Sequence, residues 1–120
     1  MPNKSGARIA LGRVGEDLAV DYLRSAGYRL VARNWRCRAG EIDVIVAGPG
    51  VTVFVEVKTR SGTGYGSPLE AVTPVKLARL RRLAGEWTAV NRPPGALRID
   101  VIGIVHDGER PLIDHLERVG

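Results

Sequence analysis

Residues 40–58 hold two runs of alternating apolar residues on either side of a Gly-Pro-Gly break, and charged residues interrupt both runs. Alternation with a period of two is typical of β-strands, and a short break rich in glycine and proline is typical of a hairpin. The sequence therefore predicts two paired strands that carry acids and a lysine where strands prefer apolar side chains.

The length of the hairpin loop decides which of these charges meet. If residues 48–51 form the loop, counting back along both strands places Asp43 opposite Glu56 and Glu41 opposite Lys58. Directly opposed Cβ atoms are about 5 Å apart, so two carboxylates placed there could share one divalent cation. A loop one residue longer or shorter would put the two acids on opposite faces.

Strict alternation also assigns the side chains of both runs to faces of the sheet. In the first run it puts Asp43 on one face and Ile42 with Val44 on the other. In the second run Glu56 and Lys58 share a face, one pleat apart.

Length and charge limit what the chain can be. Its 120 residues suffice for one domain with a core. The 18 Lys and Arg against 13 Asp and Glu give a net charge of +5, which favours a polyanionic partner such as nucleic acid. An Arg-rich genome would produce the same balance without any such partner, so the two interpretations weigh about evenly.

Cysteine usage and hydropathy indicate the compartment. Cys37 is the single cysteine, so it has no internal disulfide partner, and no Cys/His cluster has zinc-ligand spacing. No apolar run is long enough to cross a bilayer, and no apolar segment follows the basic start as in a secretory signal. These features predict a cytoplasmic protein without membrane contact.

The first 26 residues divide into a tail and a helix. Residues 1–10 are predicted to form a flexible basic tail, and residues 11–120 are predicted to form a single domain. From Leu11 to Ala26 apolar residues recur with a helical period, and Gly27 ends the pattern. Glu16 falls at the border of the apolar face, but the helical pattern alone favours an exposed acid near the positive helix end over a site residue.

The rest of the chain alternates strands with a second helix. Strands are predicted at residues 28–35 and 97–105, with a short edge strand at 112–116. A glycine-rich segment at 60–68 is either a plain loop or a flap in which Tyr65 stacks on a base. Thr73 and Pro74 predict the start of a helix with a buried leucine stripe. The fold class is α/β, a central mixed β-sheet flanked by α-helices in the order αβββαβ.

Several basic side chains could contact phosphates. Lysine and arginine recur three residues apart along the second helix, and arginines precede the hairpin. Solvated charge and ion pairing explain such residues equally well. The candidates for nucleic-acid binding are Arg13, Arg36, Arg60, Lys76 and Arg79.

Asp43, Glu56 and Lys58 are residue types suited to phosphodiester hydrolysis. Carboxylates bind Mg²⁺, which activates a water molecule, and a nearby lysine stabilises the developing negative charge. The alternative is an ordinary sheet face with cross-strand ion pairs, for example Glu41 with Lys58 and Glu56 with an arginine.

The sequence resembles the YraN-like family of small bacterial proteins, in motifs spread from about residue 11 to 116. These motifs are Gly12-Arg-Val-Gly-Glu16-Asp-Leu-Ala19, Asn34, Gly40-Glu-Ile-Asp43, Phe54-Val-Glu-Val-Lys-Thr-Arg60, Lys76 and Arg98-Ile-Asp-Val101. The resemblance implies a restriction-endonuclease-like fold with a PD-(D/E)xK active site, similar to that of archaeal Holliday-junction resolvases. The proline of that motif is absent, since Ile42 precedes Asp43.

By position, the resemblance implies roles for three acids and one lysine. Asp43 and Glu56 would bind Mg²⁺ or Mn²⁺, Lys58 would be the catalytic lysine, and Glu16 would complete the site. The expected function is therefore a metal-dependent endonuclease on DNA, with branched or structured DNA as candidate substrates. Cutting of both strands favours a homodimer.

Two other functions are compatible with parts of the pattern. A non-catalytic nucleic-acid-binding module on the same fold is the alternative, which the intact acids and lysine disfavour. A phosphatase or nucleotide hydrolase is disfavoured because the sequence has no phosphate-cradling loop.

Overall fold

The computed structural model describes residues 4–62, 68–106 and 110–119, without the side chains of residues 4–10 and 71. Within these residues, five strands form one sheet in chain order, each beside the next, and two α-helices pack on its faces. The elements are α1 (Lys4–Ser25), β1 (Arg29–Cys37), β2 (Gly40–Gly48), β3 (Val51–Arg60), α2 (Pro74–Asn91), β4 (Ala96–Val105) and β5 (Leu112–Leu116).

The strand directions make this a mixed sheet. Neighbouring strands are antiparallel except for β3 and β4, which are parallel along their whole length from the pair Val51 and Ala96 to the pair Arg60 and Val105. A parallel pair needs a long crossover, and here α2 and a short 3₁₀ helix at Pro68–Ala71 provide it. The predicted α/β class and element order are confirmed, as is the edge strand.

The core has one layer on each face of the sheet. On the first face, Ala19, Val20 and Leu23 of α1 pack against valines of β2 and β3 and isoleucines of β4. On the other face, the leucine stripe and Trp87 of α2 cover Phe54, whose ring meets the Trp87 ring edge to face at 5.6 Å. The two helices therefore bury opposite faces of β2 and β3, the strands that carry the acids.

Helix α1 begins seven residues before the predicted start, at Lys4 rather than Leu11. The segment assigned to the tail contains alanine and arginine, which are good helix formers, and no proline after Pro2. Once α1 is nucleated against the sheet, propagation toward the N-terminus costs little. The flexibility of residues 1–10 stays a prediction.

The start of α2 agrees with its sequence signature. Thr73 is the N-cap, and its Oγ1 accepts a hydrogen bond from the backbone N–H of Lys76 at 3.3 Å, with Pro74 at the first helical position. Residues 63–67, including Tyr65 of the predicted flap, lie outside the described residues. Neither described helix combines the length and apolar character that a bilayer crossing requires.

Candidate active site

The hairpin of β2 and β3 has the predicted register. Its pairs run from Gly48 with Val51 to Val44 with Val55, and the next step in that register brings Asp43 to Glu56. The ladder ends before that step, whereas β3 continues beside β4 to its last residue. The two strands therefore part at the acids.

Asp43 occupies the point where the strands separate. Its Oδ2 accepts a hydrogen bond from the backbone N–H of Val57 at 2.9 Å. Val57 lies beyond Val55, the last residue of β3 that pairs with β2. The carboxylate therefore accepts the hydrogen bond of a backbone N–H that has no partner in the β2–β3 ladder. The side chain is thus held in the gap between the strands.

The alternation of β2 breaks at this point, and the predicted faces are wrong for one residue. Ile42 should share a face with Val44, yet it packs in the α2 layer while Val44 packs in the α1 layer. The break coincides with Asn34 of β1, which has φ 51 and lies between the pairs Arg33 with Val44 and Trp35 with Ile42. A left-handed residue in one strand disturbs the pleat of its neighbour, which sequence periodicity does not reveal.

Two cavities meet at the acids, one on each side of the sheet. A cavity of 270 Å³ lies toward α2, and its described lining includes Glu41, Lys76 and Arg79. A second of 340 Å³ lies toward α1, with Glu16 in its lining. Asp43, Glu56 and Lys58 line both cavities. The structure therefore brings together all four residues predicted to be catalytic; we call these two spaces the acidic cavities.

A glycine positions Glu16. A Cβ built on Gly15 would overlap Oγ1 of Thr59 on β3 and lie 2.9 Å from its Cβ, closer than real contacts allow. Only a residue without a side chain lets α1 approach β3 this closely. Glu16 follows directly and is 16% exposed, with one oxygen 3.4 Å from Nη2 of Arg33.

Burial raises the pKa of both central acids, and the charge of a neighbouring acid adds to the rise at each, Glu56 for Asp43 and Glu41 for Glu56. For Asp43, burial and then the charge of Glu56 raise the pKa to about 7, against the opposing hydrogen bond from Val57. For Glu56, burial raises the pKa and the ammonium of Lys58, with Nζ 3.5 Å from Oε1, partly offsets it. Two carboxylates that resist ionisation side by side would be relieved by a divalent cation.

The five basic candidates separate into two groups. Lys76 and Arg79 line the cavity toward α2, and Lys76 is close enough to Glu56 to oppose the rise of its pKa. The other three are not among the described lining residues of the acidic cavities. Arg13 is exposed on α1, Arg60 ends β3, and Arg36 is 77% exposed.

Glu41 has a different partner from the predicted one. Its Oε2 lies 3.5 Å from Nε of Arg36, whereas Lys58 pairs with Glu56. The ladder of β1 and β2 continues past the end of the β2 and β3 ladder, and it places Arg36 directly across from Glu41. The predicted pairing of Glu41 with Lys58 is therefore wrong.

Sequence reasoning missed a buried polar network beside the sheet. Asp100 is fully buried and accepts hydrogen bonds from Nε and Nη2 of Arg98 at 2.9 Å, and it also bonds His115 Nε2 at 2.7 Å. Tyr22 of α1 bonds the other ring nitrogen of His115 at 2.9 Å. The sequence held one signal for this network, the motif Arg98-Ile-Asp100. Residues two apart on a strand share a face, and an acid on a buried strand needs a partner such as that arginine.

This network is also the one described group of three potential metal ligands within 4.8 Å of one another, with Glu117 as the third. Both oxygens of Asp100 already accept hydrogen bonds from Arg98. Burial alone would raise the pKa of Asp100, but the bonds from Arg98, His115 and the N–H of Arg118 outweigh it and lower the pKa. The group is therefore a satisfied ion network, and His115 is structural.

Comparison with known proteins places the chain among bacterial relatives. Residues 15–104 match the model described as "Uncharacterised protein family UPF0102". A UPF0102 protein of Leifsonia xyli subsp. xyli is 56% identical over 108 residues, which cover 88% of this chain and 92% of the relative. One from Mycobacterium tuberculosis strain H37Rv is 52% identical over 124 residues, covering 98% and 97%. One from Nocardia farcinica is 52% identical over 116 residues, covering 95% and 91%.

Proposed function

The chain belongs to the UPF0102 family, and from the geometry of its acidic cavities we propose that it is a metal-dependent endonuclease that hydrolyses phosphodiester bonds in DNA. The family membership agrees with the resemblance found in the sequence. The names of these relatives state no activity, so the proposal depends on the side chains themselves. A mixed five-stranded sheet with a helix on each face is consistent with a restriction-endonuclease-like core.

One observation carries the proposal: Asp43 and Glu56 are drawn together where β2 leaves β3, with Lys58 beside them. A surface ion pair would not need burial, and it would not raise the pKa of two neighbouring acids. Burial of two carboxylates without full compensation costs stability, so an arrangement of this kind is more typical of a functional site than of a stabilising one.

The donor set fits Mg²⁺ or Mn²⁺. Carboxylate oxygens are hard ligands, and Mg²⁺ usually takes one or two of them together with water and substrate phosphate oxygens. Asp43 and Glu56 would hold the ion, and Glu16 would act directly or through a water molecule. When bound there, the cation supplies positive charge that polarises the phosphoryl group and acidifies a water molecule.

The remaining residues of the cavities would act on the substrate. Hydrolysis joins a water oxygen to phosphorus and releases a bridging oxygen, and negative charge builds up on the phosphoryl oxygens. Lys58, held 3.5 Å from Glu56, would orient the water or stabilise that charge. Lys76 and Arg79 on the wall formed by α2 would contact neighbouring phosphates.

The test is a cleavage assay on labelled duplex, single-stranded and four-way-junction DNA, with Mg²⁺, with Mn²⁺ and with EDTA. We expect cleavage with either cation, none with EDTA, and a loss of at least about a hundredfold in rate in Lys58→Ala and Asp43→Asn. Arg82→Gln is the matched control, since Arg82 is an exposed cation of α2 outside the described lining of the acidic cavities.

Two results would count against the proposal in different ways. Salt-dependent binding to DNA without cleavage under any condition would favour the non-catalytic nucleic-acid-binding module. Cleavage that persists in Lys58→Ala and Asp43→Asn would mean that the activity resides elsewhere or in a contaminant. Analytical ultracentrifugation with and without DNA would show whether the active species is a homodimer.

A further inference from the structure

A third cavity, of 430 Å³, lies between α2 and the beginning of β4 and shares none of its described lining with the acidic cavities. Its apolar walls are Phe54, Ile99, Leu97 and Ala84. Its volume falls within the range of small-molecule sites, roughly 300 to 1,000 Å³. We call it the Gly85 cavity, after the helix residue at its wall.

Gly85 is placed there without a packing reason. It lies inside α2, where glycine is a poor helix former, and its φ is not in the left-handed region. A Cβ built on it would meet nothing within 4 Å, so no described neighbour requires the missing side chain. Because Gly85 has no side chain, the wall of the cavity along α2 stays open at this position.

Two arginines at this cavity have no ion-pair partner among the described residues. Arg81, one turn before Gly85 on α2, and Arg118 are both exposed, and no described residue pairs with either guanidinium. Arg98 also lines the cavity, but its guanidinium is bonded to Asp100. Within the described part of the chain, two cations from distant segments therefore line the same cavity without an acidic partner.

Arg118 is held in position by its backbone. Its φ is 57, in the left-handed region that an arginine rarely adopts, and its N–H donates to Oδ1 of buried Asp100 at 3.2 Å. The next residue, Val119, donates its N–H to the carbonyl of Ile99 at 2.9 Å. These two bonds fix the C-terminal segment along β4, so that Arg118 stays at the cavity.

We propose that the Gly85 cavity binds a small aromatic phosphate of the size of a nucleoside monophosphate. The apolar walls accept a flat, weakly polar ring system, and Arg81 and Arg118 pair with the phosphate. The site does not depend on the nuclease proposal, because it uses none of the residues of the acidic cavities.

Isothermal titration calorimetry with deoxyadenosine monophosphate tests the site, in EDTA so that no divalent cation holds the phosphate in the acidic cavities. We expect saturable binding at one site per chain. Arg81→Gln and Arg118→Gln should each weaken it about tenfold or more, since each removes a charged hydrogen bond. Gly85→Leu should abolish binding by filling the cavity, and thermal unfolding should show that this variant remains folded.

Controls separate this site from general attraction of anions. Arg82→Gln, which removes an exposed arginine next to Arg81 outside the described lining of the cavity, and Lys58→Ala should both bind as the wild type does. Deoxyadenosine and inorganic phosphate should each bind at least about tenfold more weakly, because each offers half of the contacts. The proposal is overturned if wild type fails to bind, if folded Gly85→Leu binds normally, or if Lys58→Ala abolishes binding.

Discussion

Replacement of Asp43 by asparagine should stabilise the metal-free protein above neutral pH, although it removes a central residue of the proposed site. The carboxylate has a pKa of about 7 in the folded chain, against an ordinary value of 3.8. Between these values the folded state binds more protons than the unfolded state, so stability falls as pH rises. The penalty is absent below the unfolded pKa and complete above pH 7.

The size of the effect follows from the same two pKa values. Each unit between them costs about 1.4 kcal/mol, which gives a limit of roughly 4 kcal/mol above pH 7. Water reaches a half-buried carboxylate and screens part of this cost, so we expect a gain of about 2–3 kcal/mol. Asparagine keeps an oxygen that can accept the hydrogen bond from Val57, so that contact is not lost.

Urea unfolding in EDTA measures this gain for wild type and Asp43→Asn, at about pH 8 and again near pH 4, where the difference should almost vanish. Asp21→Asn is the matched control, because Asp21 is an exposed acid on α1. Addition of Mg²⁺ should stabilise wild type and have little effect on Asp43→Asn. A variant that is less stable than wild type near pH 8, or equally stabilised at both pH values, would refute the reasoning.

Three further predictions concern the scaffold, each measured by urea or thermal unfolding. Gly15→Ala should lower the free energy of unfolding by about 1–3 kcal/mol, because the added methyl group would overlap β3. The control Gly12→Ala should leave the free energy of unfolding unchanged or raise it by up to about 1 kcal/mol, since a Cβ there meets nothing within 4 Å. Equal effects would exclude a close contact at Gly15. Arg98→Met should cost about 3–5 kcal/mol, because it leaves Asp100 buried without its cation; a loss below about 1 kcal/mol would contradict this. Thr73→Ala should cost about 1 kcal/mol through loss of the helix cap, and no loss would contradict that role.

The register of the hairpin could be read from the sequence because its determinants are local. Once residues 48–51 are taken as the loop, counting along both strands gives the pairing of β2 with β3, and the observed ladder has that pairing. The start of α2 was equally predictable, since Thr73 and Pro74 form a capping signal within two residues.

What the sequence did not reveal depends on contacts between distant segments. The break of alternation at Ile42 coincides with a left-handed residue in β1, and the partner of Glu41 is set by where one ladder stops and another continues. The polar network joins Tyr22 to His115, which are 93 positions apart. The periodicity of a sequence indicates which face of the sheet a side chain prefers. It does not indicate which residue of another strand that side chain will contact.

Manganese binding, followed by electron paramagnetic resonance, tests most directly whether the acids of the hairpin hold the cation on which cleavage depends. We expect one Mn²⁺ per chain at about pH 8, lost in Asp43→Asn and in Glu56→Gln together with cleavage of a labelled DNA duplex. Glu117→Gln should keep both Mn²⁺ binding and cleavage, since Glu117 belongs to the group with Asp100 and His115. Mn²⁺ that stays bound in Asp43→Asn and Glu56→Gln but is lost in Glu117→Gln would contradict the account.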